Sequence, residues 1–80
     1  MNIQVRFFAQ MAEQAGGSSF SIEVPADATL ELLRAHLQKK HPHLRWPAGL
    51  MFAVNQEYAG PQRALQDHDE VAIIPPVSGG

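Results

Sequence analysis

The chain has 80 residues, of which 45% are hydrophobic and 18% are charged, and its formal net charge is −2. A chain of this length has room for one domain and one core, because only about 60 to 65% of the unfolded surface can be buried at this size. Six Lys and Arg residues in total give no basic surface for a phosphate backbone, so nucleic acid is an unexpected partner.

Two absences narrow the chemistry and the location. The chain has no Cys, which excludes disulfides, thiolate metal sites, iron–sulfur clusters and thiol nucleophiles. The N-terminal ten residues contain no apolar run of signal-peptide length, and no later stretch approaches a membrane span. We therefore expect a cytoplasmic protein whose reactive group is something other than a thiol.

The first quarter of the chain predicts two strands separated by a short helix. Apolar and polar residues alternate over Asn2–Phe7 and again over Ser19–Val24, which is typical of strands with one buried face. The segment Phe8–Ala15 contains helix-forming residues and stops at Gly16-Gly17, a good helix end. We expect the two strands to pair with each other.

The main helix is predicted over Thr29–Lys40. Thr29 is a suitable N-cap residue, Glu31 lies in the first turn, and Pro42 prevents continuation of the helix. Apolar residues at helical spacing predict one face packed on the sheet. These residues are Leu30, Leu33 and Leu37, with Leu32 and Ala35 expected to widen the face.

A loop and a hairpin are predicted next. His43–Gly49 has prolines and a glycine that are incompatible with regular structure throughout, so it is predicted to be a loop. Leu50–Val54 and Glu57–Ala59 flank Asn55-Gln56 and predict two short strands joined by a turn.

The last predicted strand follows a polar turn. Gln66–Asp69 contains side chains that bond nearby backbone in turns, and Glu70–Ile74 resumes the alternation of a strand. Val71 and Ile73 are expected to face the core.

The order of these elements predicts an α+β fold of the ubiquitin-like β-grasp type. We expect a mixed sheet of four to five strands with one main helix packed on it, formed by residues 1–74. Residues 75–80 are expected to form an extended, projecting C-terminal tail.

The tail has an unusual composition. Pro75 and Pro76 end the strand and favour extended backbone, and six extended residues reach roughly 20 Å. Gly79 and Gly80 lack a Cβ and could thread a channel that side chains would block. A disordered terminus is the alternative that the tail alone leaves open.

Four segments together resemble the MoaD family, the small sulfur-carrying subunits of molybdopterin synthase. This family is related in fold to the thiamine-pathway sulfur carriers and to ubiquitin. The resemblance covers essentially the whole chain. The segments are Phe7-Phe8-Ala9, Ala53-Val54-Asn55-Gln56, Leu65-Gln66-Asp67-His68-Asp69-Glu70-Val71 and Pro75-Pro76-Val77-Ser78-Gly79-Gly80.

The resemblance implies a role for each tail residue. Gly80 would be adenylated by an activating enzyme that uses ATP, carry AMP transiently, and become a thiocarboxylate. Gly79, with Ser78, Val77, Pro76 and Pro75 before it, would give the terminus access to the active site of a large subunit. The sulfur would pass to a cyclic pyranopterin precursor to form the molybdopterin dithiolene.

The resemblance also implies a division of labour between the subunits. The chain would be a carrier without catalysis of its own, with no metal and no permanent cofactor, in a heterotetramer with two large subunits. The chemistry is consistent with this, because an α-carboxyl group is ionised at neutral pH and is a poor electrophile until a nucleotide activates it. A thiocarboxylate then needs no cysteine.

Two features bear on partner contacts. Family members often carry a basic residue shortly after Phe-Phe-Ala, where this chain has Ala12 and Glu13, and often have aromatic residues before the prolines, where it has Ile73 and Ile74. Ile74 is a candidate apolar anchor for the partner. Phe8 is a second candidate if alternation points it outward, although it could instead be buried under the short helix.

Other candidate sites are less consistent with the sequence. The histidines, His36, His41, His43 and His68, lack the spacing of a metal site and are expected at the surface and at helix ends. Asp67, Asp69 and Glu70 are expected to form a turn, and Trp46 beside Arg45 is expected to pack the loop. For the function itself, a thiamine-pathway carrier, a ubiquitin-like protein modifier and a non-covalent interaction module remain alternatives.

Overall fold

The computed structural model of the chain describes residues 1–76, and within them it contains five strands and two helices. The predictions for Val77, Ser78, Gly79 and Gly80 lie outside these residues. The elements are β1 (Asn2–Phe7), α1 (Ala9–Ala15), β2 (Ser19–Glu23), α2 (Leu30–Lys40), β3 (Met51–Val54), β4 (Glu57–Ala59) and β5 (Glu70–Ile74).

The strands form one mixed sheet in the order β2-β1-β5-β3-β4. β1 pairs with β2 in the antiparallel sense and with β5 in the parallel sense, and β5 pairs antiparallel with β3. The last strand is therefore central, and it ends at the same edge of the sheet as β1. The expected α+β class, mixed sheet and pairing of the first two strands are confirmed.

The core lies between α2 and one face of the sheet. Alternate residues of β1 and β5 are fully buried, as the alternation predicted, and α2 contributes Leu30, Leu33 and Leu37 to the same cluster. The prediction that Leu32 and Ala35 widen the buried face of α2 was wrong, because both are exposed. In an 80-residue domain the single sheet covers only a narrow stripe of the helix.

Local signals explain the ends of the elements. The Oγ1 atom of Thr29 accepts a hydrogen bond from the backbone N–H of Leu32 at 3.4 Å, so Thr29 is the N-cap as predicted. Asn55 and Gln56 have φ of 50° and 73°, and two residues with positive φ make the tight turn whose twist matches the β3–β4 hairpin. The predicted polar turn before β5 is confirmed at Asp67 and His68, with Asp69 directly after it, whereas Glu70 is the first residue of β5 and does not belong to the turn.

The polar turn before β5 joins three parts of the sheet. Asp69 is almost fully buried, and its carboxylate accepts hydrogen bonds from the Asn55 side chain at 2.9 Å and from the Gln66 backbone at 2.7 Å. Asp67 accepts one from the backbone N–H of Asn2 at 2.7 Å, and this bond is the main cause that lowers the pKa of Asp67. The turn thus fixes the start of β5 against β1 and the hairpin.

Candidate functional site

The point at which the chain leaves the sheet is the natural place for a functional site in this fold. β5 ends at Ile74 between β1 and β3, and Pro75 and Pro76 follow. A Cβ added to Gly49 would lie 3.6 Å from the Cβ of Pro76, so the loop before β3 passes close to Pro76. Pro75 and Pro76, the described part of the predicted tail, are therefore supported by the domain.

The parallel pairing of β1 with β5 brings Phe8 and Ile74 together. Phe7 is opposite Ile73, so Phe8 follows at the level of Ile74, and Ile74 is opposite Met51 on the other side. Phe8 is 39% exposed, and the guanidinium of Arg6 lies 5.6 Å from the centre of its ring. Because Arg6 alternates with buried residues of β1, it is on the face of the sheet opposite α2, and Phe8 extends over that same face.

This face carries an apolar surface that we call the outer-face patch, formed by Phe8, Ile74, Met51 and Tyr58. Met51 is 48% exposed and Tyr58 is 67% exposed. One row of residues across the outer face of the sheet runs from Arg6 through Ala72 and Ala53 to Tyr58. The small side chains of the two alanines keep this part of the face flat. Large exposed apolar groups clustered on one face are typical of protein contact sites.

Charge at the patch is confined to its border. Arg6 lies 4.0 Å from Glu70, and both side chains are about half exposed, so this pair contributes little to stability. Apolar residues surrounded by polar ones are the usual arrangement in protein interfaces. The patch therefore has the composition expected for contact with a partner protein.

A groove of about 790 Å³ lies on the other side of the two prolines. Residues of α1 form one wall and the 45–47 loop forms the other, with Pro75 and Pro76 between them. The backbone N–H of Arg45 donates to Oε1 of Gln14 at 2.8 Å, which joins the two walls. Trp46 is half-buried and packs edge-on against Phe7 at 6.4 Å, so the expectation that it packs the loop is confirmed.

The histidines do not converge on a site. His41 packs against Phe7 and Phe20, at 6.0 and 5.6 Å between ring centres, with His43 beside it, whereas His36 and His68 are exposed. Burial lowers the pKa of His41, and Lys40 and His43 lower it further. Among residues 1–76, no three His, Asp or Glu side chains are placed to hold a metal ion.

Sequence reasoning identified Phe8 and Ile74 but missed Met51, Tyr58 and Gln14. The sequence of β3 is apolar throughout and β4 has only three residues, so no alternation marks Met51 or Tyr58 as outward. The pairing of β3 with β5 and β4 places them on the outer face. Nothing in the sequence indicates that Gln14 contacts Arg45, which is 31 residues away. No helix within the described residues has the length and apolar character that a membrane crossing requires.

Comparisons with known proteins agree with this geometry. Residues 5–80 match the model described as the ThiS family. The molybdopterin synthase sulfur carrier subunit of Chlamydomonas reinhardtii is 46% identical over the full length of both chains. The solved complex of subunits 1 and 2 of the molybdopterin-converting factor from Helicobacter pylori contains a chain that is 32% identical, with a TM-score of 0.73 and full coverage of both chains. The small archaeal modifier protein 1 of Haloferax volcanii is 27% identical, with a TM-score of 0.84 over 95% of this chain and 98% of that one.

Proposed function

The chain belongs to the ThiS family, and we propose that within this family it serves as the sulfur carrier subunit of a molybdopterin synthase. The observation that carries the proposal is its full-length similarity to a protein of that name. The ending Gly79-Gly80 and the absence of Cys are consistent with it, because sulfur would then be carried on the terminal carboxyl group.

The proposed chemistry takes place at Gly80. An activating enzyme joins the Gly80 carboxylate to the α-phosphate of ATP, which releases pyrophosphate and leaves an acyl adenylate. A sulfide-level donor then displaces AMP and forms the thiocarboxylate. The thiocarboxylate sulfur bonds to a carbon of a cyclic pyranopterin precursor in place of an oxygen substituent. Water then cleaves the acyl–sulfur bond, which leaves the sulfur on the pterin and restores the Gly80 carboxylate.

In this proposal the chain presents its terminus and the partners supply the catalytic groups. The activation step needs groups that stabilise negative charge on phosphate, and the chain has only six Lys and Arg residues in total. The outer-face patch, next to the start of the tail, is the surface that would bind the large subunit. Phe8 and Ile74 are its members closest to the prolines.

Intact-mass spectrometry tests the proposal directly. After incubation with the cognate activating enzyme, ATP and a sulfur donor, we expect one oxygen at Gly80 to be replaced by sulfur. The same mixture without ATP is the control and should leave the mass unchanged. An unchanged mass in the complete mixture, with an enzyme that loads its own known carrier, would contradict the proposal.

The loaded chain should then support dithiolene formation. Mixed with the large subunit and the pterin precursor, it is expected to lose its sulfur and return to the original mass. Loss of sulfur only to a thiazole-forming enzyme would instead indicate the thiamine-pathway alternative.

A protein modifier is the second candidate, favoured by the similarity to the small archaeal modifier protein. An activated Gly80 could also acylate the ε-amino group of a lysine and form an isopeptide bond. A tagged chain expressed in cells with an activating enzyme would then form covalent conjugates that resist denaturation. Absence of conjugates while the thiocarboxylate accumulates would restrict the chain to sulfur transfer.

A further inference from the structure

The loop before β3 holds the base of the tail. We call this arrangement the tail cradle and define it as Gln14 of α1 together with loop residues Arg45, Trp46, Pro47 and Gly49. Pro75 and Pro76 line the same groove as Arg45, Trp46 and Pro47, and Pro76 lies beside Gly49. The direction in which the chain leaves Pro76 therefore depends on where the loop lies.

The loop has no regular secondary structure, so individual contacts must hold it. Leu44 is 4% exposed and anchors one end in the core. The Trp46 ring packs on Phe7, and the Arg45 backbone is held by Gln14. Of these contacts, the hydrogen bond to Gln14 is the direct link between the loop and the opposite wall of the groove.

Gly49 lies beside Pro76 and couples the position of the loop to the tail. Gly49 has φ of +83°, which favours glycine, and an added Cβ would be in van der Waals contact with the proline ring, so little space separates the two residues. Proline fixes its own φ, so a Pro-Pro pair held at one end directs the following backbone along a limited set of paths. A loop shifted by one or two ångströms would redirect the chain after Pro76.

We propose that Gln14 is a positioning residue that holds the 44–49 loop, and through it Pro75-Pro76, in the orientation required for sulfur transfer. The consequence for transfer rests on the proposed function, whereas the cradle itself does not. Preorganisation of a reacting group shortens the search for productive geometry, and a misplacement of about 1 Å can cost roughly 100-fold in rate. Gln14 would thus affect a reaction at a terminus that it does not touch.

Three variants separate the hydrogen bond from other effects. Gln14→Leu keeps the approximate size of the side chain but removes the acceptor, and Gln14→Glu keeps an oxygen that can accept from the Arg45 N–H. Gln10→Leu is the matched control, because Gln10 lies one turn earlier on the same wall of the groove and its side chain makes no hydrogen bond within residues 1–76. Gln14→Ala provides a second acceptor-free variant if the leucine is not accommodated.

The structural readouts do not depend on activity. Trp46 is the only tryptophan of the chain, so its fluorescence reports on the cradle, and nuclear Overhauser effects between Gly49 and Pro76 report on the tail contact. We expect Gln14→Leu to shift the Trp46 emission and weaken those effects. Gln14→Glu and Gln10→Leu should resemble the original chain.

The functional readout is single-turnover transfer from the preloaded chain on its large subunit. Gln14→Leu is expected to lower the transfer rate roughly 10- to 100-fold while the Kd for the large subunit changes less than about twofold. Gln14→Glu should restore the rate. A rate loss matched by an equal loss of affinity would show that Gln14 contacts the partner, and the positioning role would be wrong.

The remaining outcomes also decide the proposal. An intact Gly49–Pro76 contact in Gln14→Leu would overturn the cradle, and a lost contact with an unchanged rate would overturn its role in transfer. If the original chain accepts no sulfur, the proposed function fails and the transfer role with it. The fluorescence and Overhauser measurements would still decide whether Gln14 holds the loop.

Discussion

At the scale of single residues, Gln56 has a left-handed backbone conformation that residues other than glycine rarely adopt. Its φ of 73° is required by the turn between β3 and β4, and its neighbour Asn55 tolerates the same region better. The side chain of Asn55 donates a hydrogen bond to Asp69, so of the two turn residues only Gln56 can be replaced without losing that bond. The turn therefore contains strain that glycine would remove.

We predict that Gln56→Gly raises the free energy of unfolding by about 0.5 to 1 kcal/mol. The relief of left-handed strain exceeds the extra entropy that glycine gives to the unfolded chain. Urea denaturation measures the change, and Gln56→Ala, which keeps the strain, should give no gain. An equal effect of both substitutions would mean that the side chain of Gln56, and not its φ, determines the result.

His41 makes stability depend on pH. Its pKa is lowered by burial and by the nearby charges, so the folded state binds its proton less readily than the unfolded state does. In the unfolded chain His41 has its ordinary pKa of 6.5, and above that pH the neutral side chain stabilises the fold fully. As the pH falls from 6.5 to the lowered pKa of the folded state, this stabilisation is lost.

This dependence can be isolated by substitution. Between about pH 7.5 and about pH 5, the original chain should lose more stability than His41→Gln, because the glutamine has no proton to gain. His36→Gln is the control, since His36 is exposed on α2. Identical pH profiles for the original chain and His41→Gln, measured by thermal unfolding, would contradict the assignment.

At the scale of elements, the outer face of the sheet differs from the outer face of α2. The strands place Phe8, Ile74 and Met51 side by side at the edge where the tail begins, whereas the exposed Leu32 stands on the helix. An isolated apolar residue on a helix needs no explanation, but a cluster beside the start of the C-terminal tail does.

We predict that Phe8→Ala weakens binding to the large subunit by roughly tenfold or more, as expected for an aromatic residue at an interface. Leu32→Ala is a matched control because Leu32 is 37% exposed and Phe8 is 39% exposed. Calorimetric titration measures both affinities, and thermal unfolding shows whether either change affects the fold. If Phe8→Ala and Leu32→Ala weaken binding equally, the large subunit does not bind through the outer-face patch.

At the scale of the whole molecule, the hydrophobic core of the described residues is formed by side chains that come before Pro75. The buried residues within the described chain end at Ile73, and β5 is held by the Asp69 turn at its start and by two neighbouring strands. The Gly80 carboxyl group is not needed for these contacts.

We predict that deletion of Gly80 abolishes sulfur loading and leaves the unfolding temperature unchanged within about 1 °C. Replacing Gly79 with Trp should likewise preserve the fold but prevent transfer, because the indole ring would keep the tail out of a narrow channel in the partner's active site. Intact mass and calorimetry test both variants. Destabilisation of either one would show that the terminus contributes to the core.

The sequence by itself determined the elements, the buried faces of the strands, the N-cap at Thr29 and the turn at Asn55-Gln56, because each depends on neighbours within a few residues. It also carried the resemblance on which the proposed role of Gly79-Gly80 rests. Only the tertiary structure decided that β1 and β5 are parallel neighbours, which places Phe8 beside Ile74. It also decided that Gln14 of α1 bonds to the loop and that Gly49 of the loop lies beside Pro76. These pairs are 27 to 66 residues apart along the chain, and packing of a shared core, not local pattern, brings such segments together.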